Sequence, residues 1–161
     1  CIFMRGVLAA YGVGDRVVWA ADSFQGVPRQ TLAQDAGFDL SADVLPVLSV
    51  PLADVQDLFG RYGLLDEQVK FLVGWFKDTL PTAPFEKLAL ARLDGDMYES
   101  TIQAIEAVYP KLSPGGFLII DDYGSHASQA GQAIHDYREA QGITEEIVPI
   151  DEFGAYWRKE A

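Results

Sequence analysis

At 161 residues the chain has the length of one domain, and its content of 49% hydrophobic and 12% aromatic residues excludes a disordered protein. A formal net charge of −12 weighs against nucleic acid as substrate or partner, since such a surface repels phosphate backbones. The same charge suits a cationic ligand or a divalent metal, and it also keeps a protein soluble.

The single cysteine, Cys1, excludes an intrachain disulfide, and no Cys/His pair has zinc-ligand spacing. The longest apolar runs, such as residues 117–120, are too short to span a bilayer. No basic segment followed by an apolar one opens the chain, so no membrane partner is expected and a cytoplasmic location is the default. Residues 1–8 read as the inside of an apolar helix with no N-cap ahead of it. Further residues upstream are therefore expected.

Helical and strand patterns alternate along the chain, which predicts an α/β fold with a mostly parallel sheet covered by helices. A first helix over residues 1–11 ends at Gly12. Residues 16–22 form a short apolar strand that ends in Asp22. From 23 to 51 the periodicity dissolves into Gly, Pro, Gln and Asp, with room for one helical turn. A segment of that length in a small domain is expected to be a mobile lid or substrate loop. Residues 52–62 form an amphipathic helix with Leu52, Val55, Leu58 and Phe59 on one face. Strands follow at 69–73, running into Gly74, Trp75 and Phe76, and at 88–93, running into Asp94, Gly95 and Asp96. The next helix buries Ile102, Ile105 and Val108. Residues 110–116 break the chain before the strand at 117–120, which ends in Asp121 and Asp122. A helix over 128–141 and a final strand at 155–159 complete the unit, and the whole chain is expected to be a single domain.

In open parallel sheets, ligands bind beyond the carboxyl ends of the strands. Acids are costly at the ends of apolar strands, so several converging on one edge call for a neutralising cation. Strand–helix–strand order predicts that the strands ending at 93 and 120 are neighbours, which would gather Asp94, Asp121 and Asp122. An oxygen-only cluster selects a hard cation, Mg²⁺ rather than Zn²⁺. The competing reading is that these acids cap helices. For Asp96, just before residues 97–100 and their helix, capping is the stronger reading. One cap cannot explain both Asp121 and Asp122. One reading of Asp22 is the acid that ends the second strand of a Rossmann-like unit, a common partner of ribose hydroxyls, and a surface aspartate is the alternative. Trp75 and Phe76 have the chemistry to flank an adenine ring, and plain packing competes.

Several blocks, in order, resemble the macrocin/mycinamicin O-methyltransferase family: residues 21–24, 74–81 (GWFKDTLP), 93–100 (LDGDMYES), 109–116 (YPKLSPGG) and 121–124 (DDYG). The resemblance spans nearly the whole chain and implies a class I methyltransferase fold with an antiparallel last strand. It implies S-adenosylmethionine and Mg²⁺ as cofactors, and as acceptor a small molecule, a sugar hydroxyl on a macrolide-like natural product. Asp94, Asp121 and Asp122 would take the metal positions, and Asp22, Ser23, Gly74, Trp75 and Phe76 the cofactor side. The family's glycine-rich first strand and loop are not in this sequence. Their absence is expected to leave a slot between the two halves of the sheet and exposed strand edges, which allow a homo-oligomer. The expected proton acceptor is Asp94, with His126 a second candidate and His135 a structural residue. Two other classes compete: a non-catalytic nucleotide- or sugar-binding module, or an inactive fragment, and a Mg²⁺-dependent phosphatase-like hydrolase. The hydrolase lacks its acidic nucleophile and phosphate loop here.

Overall fold

The computed structural model describes residues 1–125 and 128–160. Its elements run in chain order as α1 (Ile2–Ala10), β1 (Val18–Asp22), α2 (Leu52–Arg61), β2 (Val69–Val73), α3 (Phe76–Thr79), β3 (Leu88–Leu93), α4 (Tyr98–Val108), β4 (Leu112–Ile120), α5 (Ala130–Gln141), β5 (Val148–Pro149) and β6 (Ala155–Arg158).

The strands form two separate hydrogen-bonded sheets. β1 and β2 pair in parallel, with Val18 opposite Val69 and Asp22 opposite Val73. The larger sheet has the order β3-β4-β6-β5. In it β3 and β4 are parallel, with Leu93 opposite Ile120, and β6 runs antiparallel to both β4 and β5. The predicted neighbours are thus adjacent and the last strand is antiparallel. The Sγ of Cys1, just ahead of α1, is 3.8 Å from the Trp19 carbonyl of β1.

The main core fills the space between the larger sheet and helices α4 and α5. Leu118, Ile120, Trp157, Ile105 and Ile134 are fully buried there, and Tyr109 meets both Tyr137 and Trp157 ring to ring. Burial of such side chains contributes about 1.5–3 kcal/mol each, so this half of the molecule carries the larger share of the apolar core beneath the sheet edge. The smaller sheet packs through Val18, Ala20 and Val69, with Phe59 of α2 edge-on to Phe71. A bidentate pair between Arg5 of α1 and Asp66, just ahead of β2, fastens the first helix to this sheet.

The structure corrects three expectations. β4 begins at Leu112, not after Gly116, because the Ser-Pro-Gly-Gly stretch continues as an extended strand whose irregular register against β3 falls between Leu88 and Leu90. Leu58 is exposed, so the buried face of α2 is carried by Phe59 with Leu52 and Val55 half-buried. The segment 23–51 holds two 3-10 turns, Ala33–Asp35 and Pro46–Leu48, and a bridge between Val27 and Ser41. No helix among the described residues is long and apolar enough to cross a membrane.

Candidate active site

The carboxyl ends of β1, β2 and β3 open on one cavity of about 390 Å³. Asp22, Ser23, Trp75, Phe76 and Asp94 all line it, together with Asp96 and the first turns of α4. Gly74 stands behind this wall: its amide donates to the Asp22 carbonyl at 2.9 Å and so locks β2 to the end of β1. Its φ of +138° is a conformation that only glycine adopts without strain, and it lets the chain turn from β2 into α3.

Beyond Asp22 the chain turns sharply. Asp22 Oδ1 accepts the Phe24 amide at 2.6 Å, and Phe24 itself has φ +57°. Ser23 Oγ donates to the Gly26 carbonyl at 2.9 Å and accepts the Gln25 amide at 3.0 Å. The buried Ser23 hydroxyl therefore shapes the turn. Trp75 occupies the N-cap position of α3, and Phe76 packs against the main core as well as the cavity.

Asp94, Asp121 and Asp122 converge as their strand order predicts. One carboxylate oxygen from each lies within 4.8 Å of the others. The register that sets Leu93 opposite Ile120 places the residues following each strand side by side, and the Asp121 amide donates to the Leu93 carbonyl at 2.9 Å. Arg92 reaches over this group, with Nη1 at 2.7 Å from Asp94 Oδ2 and Nη2 at 2.5 Å from Asp121 Oδ1. Desolvation pushes the Asp94 carboxyl above its ordinary value, the Arg92 charge opposes this, and repulsion from Asp121 adds to it. Three anionic oxygens so close together, with no nitrogen or sulfur donor, fit a hard divalent cation. Asp121 and Asp122 also line a second cavity of about 350 Å³, bordered by Arg92, Asp151 and Phe153.

Asp96 departs from its expected role. The N-cap residue of α4 is Met97, which makes no side-chain capping bond, and the first amides of the helix are taken by Asp35 from the segment between β1 and α2. Asp96 sits instead at φ +55°, a strained conformation for a side-chain-bearing residue, and its carboxyl hydrogen-bonds that of Asp122. Desolvation, that hydrogen bond and repulsion from the neighbouring acids push it up to about 6. In the sequence the only hint was a second acid two residues after the first. Neighbouring Gly95 sits in a tight spot, since a Cβ there would lie 3.1 Å from Thr101 Oγ1 and 3.2 Å from the Thr101 amide nitrogen. His126 lies outside the described residues, and His135 is exposed on α5.

Comparison with known proteins gives a consistent result. The family model described as macrocin O-methyltransferase (TylF) matches residues 1–159. The chain is 55% identical to a mycinamicin III 3''-O-methyltransferase of Micromonospora griseorubida, over all of this chain and 64% of that protein. It is 53% identical to an 8-demethyl-8-(2,3-dimethoxy-alpha-L-rhamnosyl)-tetracenomycin-C 4'-O-methyltransferase of Streptomyces olivaceus, over 99% of this chain and 61% of that protein. The solved structure of the O-methyltransferase NovP superposes with a TM-score of 0.95 at 47% identity, covering 100% of this chain and 67% of that one. A calicheamicin methyltransferase, CalS11, shares the fold at a TM-score of 0.75 and 20% identity, over 98% of this chain and 66% of that one. The chain thus spans a little under two thirds of the length of the curated relatives it matches. With its class I methyltransferase architecture and a family match along almost its entire length, this chain belongs to the macrocin O-methyltransferase family.

Proposed function

We propose that the protein containing this chain transfers a methyl group from S-adenosylmethionine to a sugar hydroxyl of a glycosylated natural product, with Mg²⁺ required. The observation that carries this reading is the junction of two features: a cavity at the ends of β1–β3 and, on its border, three carboxylates whose oxygens lie within 4.8 Å of one another. The printed activities of the relatives, on mycinamicin and tetracenomycin glycosides, support the acceptor class.

The cavity suits the cofactor by charge and by shape. Asp22, Asp94, Asp96 and Glu99 give it a negative wall that attracts a sulfonium cation. In this reading Asp22, at the end of β1, accepts ribose hydroxyls, Ser23 and Gly74 fix the turn and strand end that hold it, and Trp75 and Phe76 supply apolar ring faces for adenine. When bound by Asp94, Asp121 and Asp122, a divalent cation supplies charge that favours loss of the acceptor hydroxyl proton. In the overall reaction the acceptor oxygen loses its proton to a base and gains the methyl carbon as the S–C bond breaks, leaving a methyl ether and a thioether. The segment 23–51 contributes Gly26 to Arg29, Thr31 and Leu48 to the cavity wall and excludes water from the reacting groups. We take the catalytic unit to be a single domain in a cytoplasmic enzyme.

Asp94 is the first proposed proton acceptor, because it borders both the cavity and the cation cluster. Asp96 is a second reading with its own support: its carboxyl lines the cavity and is pushed up to about 6, close to the pH at which a base works best. Substitution separates the two. Asp96→Asn should abolish turnover and leave cation affinity nearly intact if Asp96 is the base, whereas Asp94→Asn should lower both. The decisive test of the whole reading is methyl transfer by the full-length protein from labelled S-adenosylmethionine to a panel of glycosylated natural products, with Mg²⁺ and with EDTA. Transfer that is lost in EDTA and in Asp121→Asn is the expected result. A protein that binds neither cofactor nor cation rules the reading out.

A further inference from the structure

Asp35 is the one carboxylate among the described residues that is fully buried, at 0% exposure, and it lies in the middle of the segment joining β1 to α2. A carboxylate removed from water is tolerated only where hydrogen bonds replace its hydration. Here Oδ1 accepts the Tyr98 amide at 2.7 Å and Oδ2 accepts the Glu99 amide at 3.0 Å. These are the first two amides of α4, which have no partner inside the helix and stand at its positive end. Met97, at the N-cap, offers them no side chain. The start of α4 is therefore capped from a point 63 residues earlier in the chain. A second tie runs beside the first, from the Thr31 hydroxyl to the Glu99 carboxylate.

The two stretches joined in this way are opposite walls of one cavity. Gly26 to Arg29 and Thr31 line it from the segment, and Glu99, Ser100 and Gln103 line it from α4. α4 in turn starts directly after Asp94, Gly95 and Asp96, so the tie also bears on where those acids stand. We propose that Asp35 is a positioning residue that latches the 23–51 segment to α4 and so sets the width of the ligand cavity. Its effect falls on ligand affinity more than on the chemical step. This rests on the reading of the cavity as the S-adenosylmethionine site, but the latch itself can be measured without any ligand.

The full-length protein and its Asp35→Ala and Asp35→Asn variants would be digested with trypsin without ligand, and cleavage after Arg29, in the segment, compared with cleavage after Arg61, in α2. Both side chains are well exposed, at 77% and 72%. With the latch gone, cleavage after Arg29 should rise about tenfold or more while cleavage after Arg61 stays unchanged. In parallel, S-adenosylhomocysteine affinity by calorimetry should fall about tenfold and kcat at saturating cofactor should change by less than about threefold. Asp35→Asn, which keeps the shape and one acceptor oxygen, should lie between wild type and Asp35→Ala on both measures. Unchanged cleavage after Arg29 overturns the proposal. So does an equal rise at both sites in Asp35→Asn, which marks a merely structural residue. If wild type fails to bind S-adenosylhomocysteine, the cofactor reading falls and the ratio of the two cleavage rates decides the latch by itself.

Discussion

Arg92 and Asp94 are joined by a 2.7 Å ion pair across the end of β3, and the other nitrogen of the same guanidinium reaches Asp121 at 2.5 Å. Arg92 thus neutralises two of the three carboxylates that fit a cation. Its charge opposes an incoming divalent ion, and both partners are half-exposed, so the pair itself contributes at most about 1 kcal/mol to stability. Arg92→Gln should therefore leave the melting temperature nearly unchanged and tighten Mg²⁺ binding, by about tenfold at low salt and less at high salt. Calorimetric titration of Mg²⁺ at two ionic strengths checks this, and weaker binding in the variant would show that Arg92 orients the acids instead.

Asp121 and Asp122 follow β4 consecutively and both reach the cluster. Replacing either by Asn removes one negative charge from a three-acid set, and cation affinity depends strongly on ligand charge. Each variant should bind Mg²⁺ at least about tenfold more weakly, with the fold unchanged by circular dichroism. Equal affinities in wild type and both variants would remove these residues from the cation site.

Gly74 combines a φ of +138° with a tight surrounding, since a Cβ at this position would lie 2.7 Å from Thr79 Cγ2. Gly74→Ala should cost about 1–3 kcal/mol in denaturant unfolding, from backbone strain plus the contact. Adding Thr79→Ser removes the offending methyl and should recover only part of the loss, because the backbone strain persists. Full recovery would mean that the contact alone matters.

The pair between Arg5 and Asp66 predicts a dependence on acid. The Arg5 guanidinium and the Gln68 amide hold the Asp66 carboxyl below its ordinary 3.8. A group whose folded pKa is depressed stabilises the protein above its unfolded pKa and loses that contribution as pH falls through the folded value. Asp66→Asn should therefore melt several degrees below wild type at pH 6–7, and the gap should close below about pH 4. Melting curves of both proteins from pH 3 to 7 provide the check, and a gap independent of pH would refute the assignment.

Much of the fold is legible in the sequence because its signals are local. The apolar runs of β2 and β3, the helical spacing of Ile102, Ile105 and Val108, and the acids that end β1, β3 and β4 each lie within a few residues of one another. Strand–helix–strand order is enough to make β3 and β4 neighbours and so to gather Asp94, Asp121 and Asp122. The extended course of residues 112–116 was hidden, since Pro and paired glycines read as a break when no partner strand is in view.

What only the tertiary structure decided concerns partners far apart in the chain. By its position Asp96 reads as the cap of α4, yet Asp35 takes the helix amides and Asp96 turns to Asp122. No periodicity marks Asp35, which lies in a stretch without regular pattern. Its buried carboxylate acquires a purpose only when folding brings it to a helix end 63 residues away. Local spacing determined which residues are strands, helices and strand-end acids. The choice of which acid caps, which pairs and which faces the cavity was left to three-dimensional packing, because a hydrogen bond depends on the distance between atoms and not on their separation in sequence.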